Sequence, residues 1–210
     1  LHPGHAPLRE TIAAALLRWA EWHGQMPLMV PMCGAGTLAI EAAWIAMHRA
    51  PNLEHDFPFL TWPSTSDRRW QRVLEKARAM QRQTTVAILA SDIDPSVLDA
   101  AMENAVRAHV REAIDFAVAD ARSLQPAADT GLIICNPPYG QRLGEDVRGL
   151  YRELGRVLQE RFGGWRCIVL APDAACERAL GLPARRRLGF RHGGRHIQAL
   201  DLACGHGTQA

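Results

Sequence analysis

The chain has 210 residues, 48% of them hydrophobic and 22% charged, which fits one globular domain and excludes disordered, collagenous and coiled-coil readings. Its longest apolar runs, such as 86–90 and 131–135, fall far short of the ~20 residues that cross a bilayer, and nothing at the start reads as a signal peptide. The net charge of +2 hides an asymmetry: residues 1–140 carry 12 basic and 15 acidic side chains, whereas 141–196 carry 12 Arg against 6 acids. Arginine is the better fork for phosphate, so the C-terminal third is a candidate nucleic-acid surface, although genome composition also produces Arg-rich chains.

Pro7 to Trp22 reads as a helix, with Leu8, Ile12, Ala15, Leu16 and Trp19 at helical spacing, and His23-Gly24 stops it. Pro27 to Met32 is a short apolar strand that runs into Cys33-Gly34-Ala35-Gly36, and Thr37 to His48 is an Ala-rich helix. Ala50 to Ser66, rich in Pro and aromatics, is an irregular excursion; Asp67 to Gln83 resumes helix with Asp67 as N-cap. Alternation then becomes clear: Val86 to Ala90 strand, Pro95 to His109 helix, Ile114 to Val118 strand, Gly131 to Cys135 strand. Asp146 to Phe162 is an amphipathic helix with Val147, Leu150, Tyr151, Leu154, Val157 and Leu158 on one stripe. Cys167 to Ala171 is a further strand, followed by a short helix near Asp173 to Leu180. Arg185 to Phe190 and His196 to Ala203 pair as an antiparallel hairpin across Gly193-Gly194.

Apolar strands alternating with helices imply an α/β, doubly wound, Rossmann-like fold: a mostly parallel seven-stranded sheet ending in an antiparallel hairpin. Ligands in such folds bind beyond the carboxyl ends of the strands, so the residues just after each strand carry the information.

The first strand ends in Pro31-Met32-Cys33-Gly34-Ala35-Gly36-Thr37, where Gly34 and Gly36 let the backbone approach a ligand ahead of a helix N-terminus. The run is neither GxGxxG nor a P-loop, which disfavours nucleoside triphosphates. Ser91-Asp92-Ile93-Asp94-Pro95 follows the second strand: Asp92 is placed to hold ribose hydroxyls, and Asp94 to cap the next helix. Asp120 and Ala121 follow the third strand, where Asp120 can accept from an adenine amino group. The fourth strand ends in Asn136-Pro137-Pro138-Tyr139-Gly140, the most specific signal in the chain. Two prolines stiffen the loop and remove two N–H donors. Asn136 adds an acceptor and Tyr139 a stacking face, a combination suited to a planar group bearing an NH₂.

The five Cys (33, 135, 167, 176, 204) are odd in number and lack CxxC spacing, which points to buried thiols in a reducing compartment and against a disulfide frame or a zinc site. The nine His residues show no metal-ligand spacing, so no metal is expected. Cys204 and His206 come nearest to a ligand pair.

The order of glycine turn, acid, acid and NPPY resembles the class I S-adenosylmethionine-dependent methyltransferases that modify amino groups. More closely, Ala6-Pro7-Leu8-Arg9-Glu10-Thr11, Pro31 to Leu38, Ser91 to Asp94 and Asn136 to Gly144 are similar to the RlmL-type rRNA guanine-N2 methyltransferases. The resemblance runs along nearly the whole chain, including the Pro/aromatic excursion and Leu150-Tyr151-Arg152-Glu153-Leu154-Gly155. It implies a helix leading in over 1–26 and a catalytic domain over 27–210. It also implies S-adenosylmethionine held by Pro31, Cys33, Gly34, Gly36, Thr37, Asp92, Ile93, Asp120, Ala121 and Asn136. Asn136, Pro137, Pro138 and Tyr139 would be the catalytic loop, with no nucleophilic cysteine. Arg142 and the run Arg185, Arg186, Arg187 would contact RNA, in the cytoplasm and away from any membrane.

Two departures stand out. Family members usually carry Asp where this chain has Val30, leaving Glu41 as the acid that could substitute. They also usually carry an upstream RNA-binding THUMP module, so the chain is expected to be part of a longer protein. The same loop serves N6-adenine and glutamine-N5 methyltransferases, and a non-catalytic RNA-binding domain is the reading from a different class.

Overall fold

The computed structural model describes residues 8–138 and 147–204. In chain order the elements are α1 (Glu10–Trp19), β1 (Leu28–Pro31), α2 (Thr37–Ala46), α3 (Asp67–Ala79), β2 (Ile88–Asp92), α4 (Pro95–Arg107), β3 (Asp115–Val118), β4 (Leu132–Cys135), α5 (Val147–Arg161), β5 (Arg166–Ala171), α6 (Ala174–Leu180), β6 (Ala184–His192) and β7 (Arg195–Ala203). β1 and β4 are buried at every position. Only strands paired on both edges and covered on both faces can be so apolar throughout.

The strands form one sheet in the order β3-β2-β1-β4-β5-β7-β6. β1 pairs in parallel with β2 and β4; β2 with β3 and β4 with β5 are parallel too, while β5–β7 and β6–β7 are antiparallel. This is the mostly parallel, hairpin-ended sheet expected from the sequence. One core lies under α1, α2 and α4, with Leu16, Leu17, Ala42 and Ala105 against Val30, Ile134 and Ile168. The other lies under α5 and α6, with Tyr151, Leu154, Val157 and Leu158 against Ile133, Cys167 and Val169. The Tyr151 hydroxyl donates to the Leu170 carbonyl at 2.8 Å, fixing α5 on the sheet. Leu8 and α1 share the first core, so the leading helix is part of this fold. No helix among the described residues is long and apolar enough to cross a membrane.

Several local readings shift. The second strand runs over Ile88–Asp92, two residues later than its apolar run, because register with β1 pairs Leu28 with Ile88 and Pro31 with Ser91. The cap of α3 is Ser66, whose hydroxyl accepts from the Arg69 N–H at 3.4 Å; Asp67 lies in the first turn, where its charge suits the helix dipole. That helix ends at Ala79 rather than Gln83 and buries no residue.

The expectation of free thiols throughout is corrected: Cys167 and Cys204 form a disulfide. Cys167 of β5 lies opposite Leu202 of β7, so the next residue but one on that face, Cys204, comes alongside. Thirty-seven residues of sequence gave no sign of the pairing. Cys33, Cys135 and Cys176 are free.

Candidate active site

Beyond Pro31 the chain turns sharply into α2, with left-handed backbone at Met32 (φ 53°), Gly34 (φ 54°) and Gly36 (φ 82°). The two glycines serve different ends. A Cβ on Gly36 would lie 3.1 Å from Ala101 Cβ, so this glycine permits close packing of α4. A Cβ on Gly34 would meet nothing within 4 Å, so its bare backbone faces open space. The loop is held from two sides. Asn104 of α4 donates from Nδ2 to the Ala35 carbonyl at 3.0 Å, and Asp92 Oδ2 accepts the Gly34 N–H at 3.0 Å. Sequence reasoning missed Asn104 and Met32: the former is one polar residue on a helix, and the latter gives no turn signal.

Asp92 closes β2, and its Oδ1 also accepts the Asp94 N–H at 3.2 Å. Asp94 caps α4 as expected, accepting from the Ser96 N–H at 2.9 Å and its hydroxyl at 2.7 Å; these bonds hold its carboxyl below the usual range. Ile93 and Val118 are each 58% exposed, and Val118 is the register partner of Asp92. Apolar surface thus stands open beside the acid, where a planar ring would cover it. Asp120 caps the short 3₁₀ turn Ala121–Ser123 and is gripped by Arg122, with Nη2–Oδ2 at 2.6 Å, which holds its carboxyl low. Asp120 is therefore charged and held in one orientation at the end of β3. Ala121 is buried beneath it.

At the end of β4 the Cys135 thiol donates to the Pro31 carbonyl, Sγ–O 3.6 Å, placing Asn136-Pro137-Pro138 beside the glycine turn. Asn136 Oδ1 is buried and has no hydrogen-bond partner among the described residues. Such an orphan acceptor costs free energy on the order of 1–3 kcal/mol and marks a place where a donor is missing. Pro137 is buried, and Pro138 half-buried. Tyr139 and Arg142 lie outside the described residues. Burial, with Asp92 adding to it, pushes the Cys33 thiol up to about 12 and the Cys135 thiol higher still. Both remain protonated, as packing residues would.

Val30 is fully packed in β1 and offers no charge. Glu41, one helical turn past Thr37, is 7% exposed, and no side-chain hydrogen bond or ion pair reaches it among the described residues. Burial, then repulsion from Glu10, pushes its carboxyl up to about 7. In the arginine run, Arg186 pairs with Asp201 (2.9 Å) and Glu21 (2.8 Å), and Arg187 pairs with Glu177 (2.7 Å). Arg185 makes no ion pair among the described residues.

An open glycine backbone, a carboxylate beside exposed apolar surface and an unsatisfied acceptor at neighbouring strand ends suit a cofactor carrying ribose and adenine with a transferable group near Asn136. The fold with its terminal hairpin is that of the class I S-adenosylmethionine-dependent methyltransferases. SMU.472, provisionally named a methyltransferase and solved with S-adenosylhomocysteine (SAH), superposes at TM-score 0.90 with 28% identity, covering 98% of this chain and 55% of that one. A protein of Clostridium difficile 630 named as a possible methylase gives TM-score 0.90 at 32% identity, covering 98% and 55%. The chain belongs to the RMKL-like methyltransferase domain family, whose model matches residues 2–198. It is 39% identical to the ribosomal RNA large subunit methyltransferase K/L of Psychromonas ingrahamii, over 90% of this chain and 26% of that protein. The protein of that name from Legionella pneumophila is 36% identical, over 90% and 28%. The chain thus spans little more than a quarter of the length of these two relatives.

Proposed function

We propose that this domain methylates the N2 amino group of a guanine in large-subunit ribosomal RNA, in the cytoplasm. The observation that carries the reading is the buried, unpartnered Asn136 Oδ1 at the end of β4, set between a rigid Pro-Pro segment and the glycine turn. An exocyclic amine is a poor nucleophile because its lone pair is delocalised into the ring. Asn136 Oδ1 and the Pro137 carbonyl accept its two N–H bonds, which turns the lone pair out of conjugation and toward the cofactor side. These acceptors are fixed before the substrate arrives, so positioning and electrostatics carry the rate, without a covalent step on the protein. S-adenosylmethionine supplies an electrophilic methyl: the C–N bond forms as the C–S bond breaks, its electron pair stays on sulfur, and the amine sheds one proton to solvent. Asp92, Gly34, Ile93 and Asp120 hold the nucleoside end, and Glu41 stands in for the missing acid at Val30 toward the methionine ammonium. The base must leave its stack to reach the loop, and Tyr139 stacks on it there. Arg142 adds a phosphate contact. An upstream module of THUMP type, as the family resemblance implies, selects the target nucleotide.

The test is methyl transfer from radiolabelled S-adenosylmethionine to unmodified large-subunit rRNA, followed by digestion to nucleosides. Label in N2-methylguanosine, reduced by roughly 100- to 1,000-fold in Asn136→Ala, is the expected result. Label in N6-methyladenosine would keep the mechanism and overturn the substrate. Unchanged transfer by the variant would overturn the role of Asn136.

A further inference from the structure

The hairpin β6–β7 is placed by the sheet on the same end of the molecule as Asn136. Cys135 of β4 lies opposite Val169 of β5, and Leu170 and Ala171 lie opposite Ala199 and Gln198 of β7. Asn136 is therefore level with Ala199, and everything from Phe190 to Ile197 stands beyond it, past the carboxyl ends of the parallel strands. Arg191, paired with His196, is three residues further along, roughly 10 Å at the rise of a strand. It is three strand spacings to the side, roughly 14 Å. That separation is a few nucleotides of an RNA strand.

The charge on this projection is of one sign. From Ala184 to Leu200 the sequence contains no acid, and the next one, Asp201, is buried and bound by Arg166 and Arg186. The arginines divide by strand alternation. Arg186 faces the α1 side, where it is locked to Asp201 and Glu21 and lies over the Trp19 ring. Arg187 and Arg191 face the opposite side, with Gly189 between them leaving room for the His196 imidazole. Arg187 is tied to Glu177. Arg195, the register partner of His192, belongs to the Arg186 side, so Arg191 and Arg195 flank the tip from its two faces; both are exposed, and among the described residues neither makes an ion pair or a side-chain hydrogen bond. Uncompensated guanidinium groups on a stiff two-stranded arm beside an amine-methylating loop suit phosphate oxygens, which they bind in bidentate fashion.

We infer that the tip of the β6–β7 hairpin is a phosphate-binding arm. Arg191 and Arg195 grip the RNA backbone a few nucleotides from the methylated base, and Arg185 extends the track down β6. This rests on the RNA reading above and relocates the main contact from the 185–187 run, where Arg186 and Arg187 are held by carboxylates, to the hairpin tip.

The experiment compares wild type with Arg191→Ala/Arg195→Ala, measuring methyl transfer to in vitro transcribed large-subunit rRNA across a salt series, and SAH binding by calorimetry. The arm predicts a KM for RNA raised by roughly tenfold or more, and a log–log salt slope shallower by about 1 to 2. The kcat at saturating RNA and the SAH affinity stay at wild-type values. Arg191→Lys/Arg195→Lys keeps the charge but not the fork and recovers the salt slope with only part of the affinity. Wild type active on RNA, with the alanine variant equal to it in KM and slope, would overturn the arm alone. Wild type joined to the proposed upstream module, inactive on RNA while binding SAH, would overturn the substrate reading and the arm with it.

Discussion

Asp92 Oδ2 accepts the backbone N–H of Gly34 at 3.0 Å, across 58 residues of sequence. One carboxylate thus shapes the glycine turn and borders the exposed Ile93 and Val118 surface.

Asp92→Ala removes that acceptor together with the proposed ribose contact. Hydrogen bonds to charged groups are worth about 1.5–3 kcal/mol, so the Kd for SAH is expected to rise by roughly 10- to 100-fold. Isothermal titration of the folded variant checks it; an unchanged Kd would place the ribose elsewhere.

Gly155 lies where α5 crosses α6, and a Cβ there would sit 1.9 Å from the Leu180 carbonyl oxygen, which is backbone and cannot swing aside. Gly155→Ala must push the helices apart, costing about 3 kcal/mol, or a Tm lower by roughly 6–12 °C for a chain of this size. A melt within a degree of wild type would contradict the observed crossing.

Asp201 is 4% exposed at its side chain and joins Arg166 and Arg186, while Arg166 also donates to the Ala20 carbonyl at 2.7 Å. Asp201→Ala leaves two guanidinium groups at this clamp between α1 and the sheet without their carboxylate. The expected loss is about 3 kcal/mol, read as a lower urea midpoint with unchanged m. SAH affinity should survive in the folded fraction, since Asp201, level with Ile168 and Ile134, lies two strands to the side of β4 and short of its carboxyl end.

Glu41 makes stability depend on pH. Its carboxyl is raised from 4.5 to about 7, so the folded protein holds a proton that the unfolded chain gives up. Stability from this group is fully present below pH 4.5, declines between 4.5 and 7, and stays lost above. Glu41→Gln should flatten that decline and melt above wild type at pH 8, as denaturation at pH 5 and pH 8 will show. If Glu41 also meets the methionine ammonium, SAH binding near pH 7 releases protons in wild type and not in the variant, a difference visible by calorimetry in buffers of unlike ionisation enthalpy.

Much of the architecture was legible in the chain because its causes are local. Apolar runs too short for helices mark β1 and β4, Asp94-Pro95 marks the start of α4, and Gly193-Gly194 marks the hairpin turn. Asn136-Pro137-Pro138 marks a stiffened, acceptor-bearing loop within three residues. By contrast, the edges of β2 and the cap of α3 shifted because register and side-chain reach settle element ends.

Tertiary structure alone decided partnership. Asn104 under the glycine turn, Cys167 beside Cys204, and Asp201 between two arginines are each set by which strand or helix lies next to which. The same holds for the arginines: consecutive in sequence, Arg186 and Arg187 point to opposite faces and find different acids, while Arg191 and Arg195 at the tip meet no acid among the described residues. Sequence determined the fold class, the order of the elements and the acceptor loop, since periodicity and turn chemistry act within a few residues. Which charges are neutralised, and which remain available for a ligand, follows from strand order and register, which no local pattern encodes.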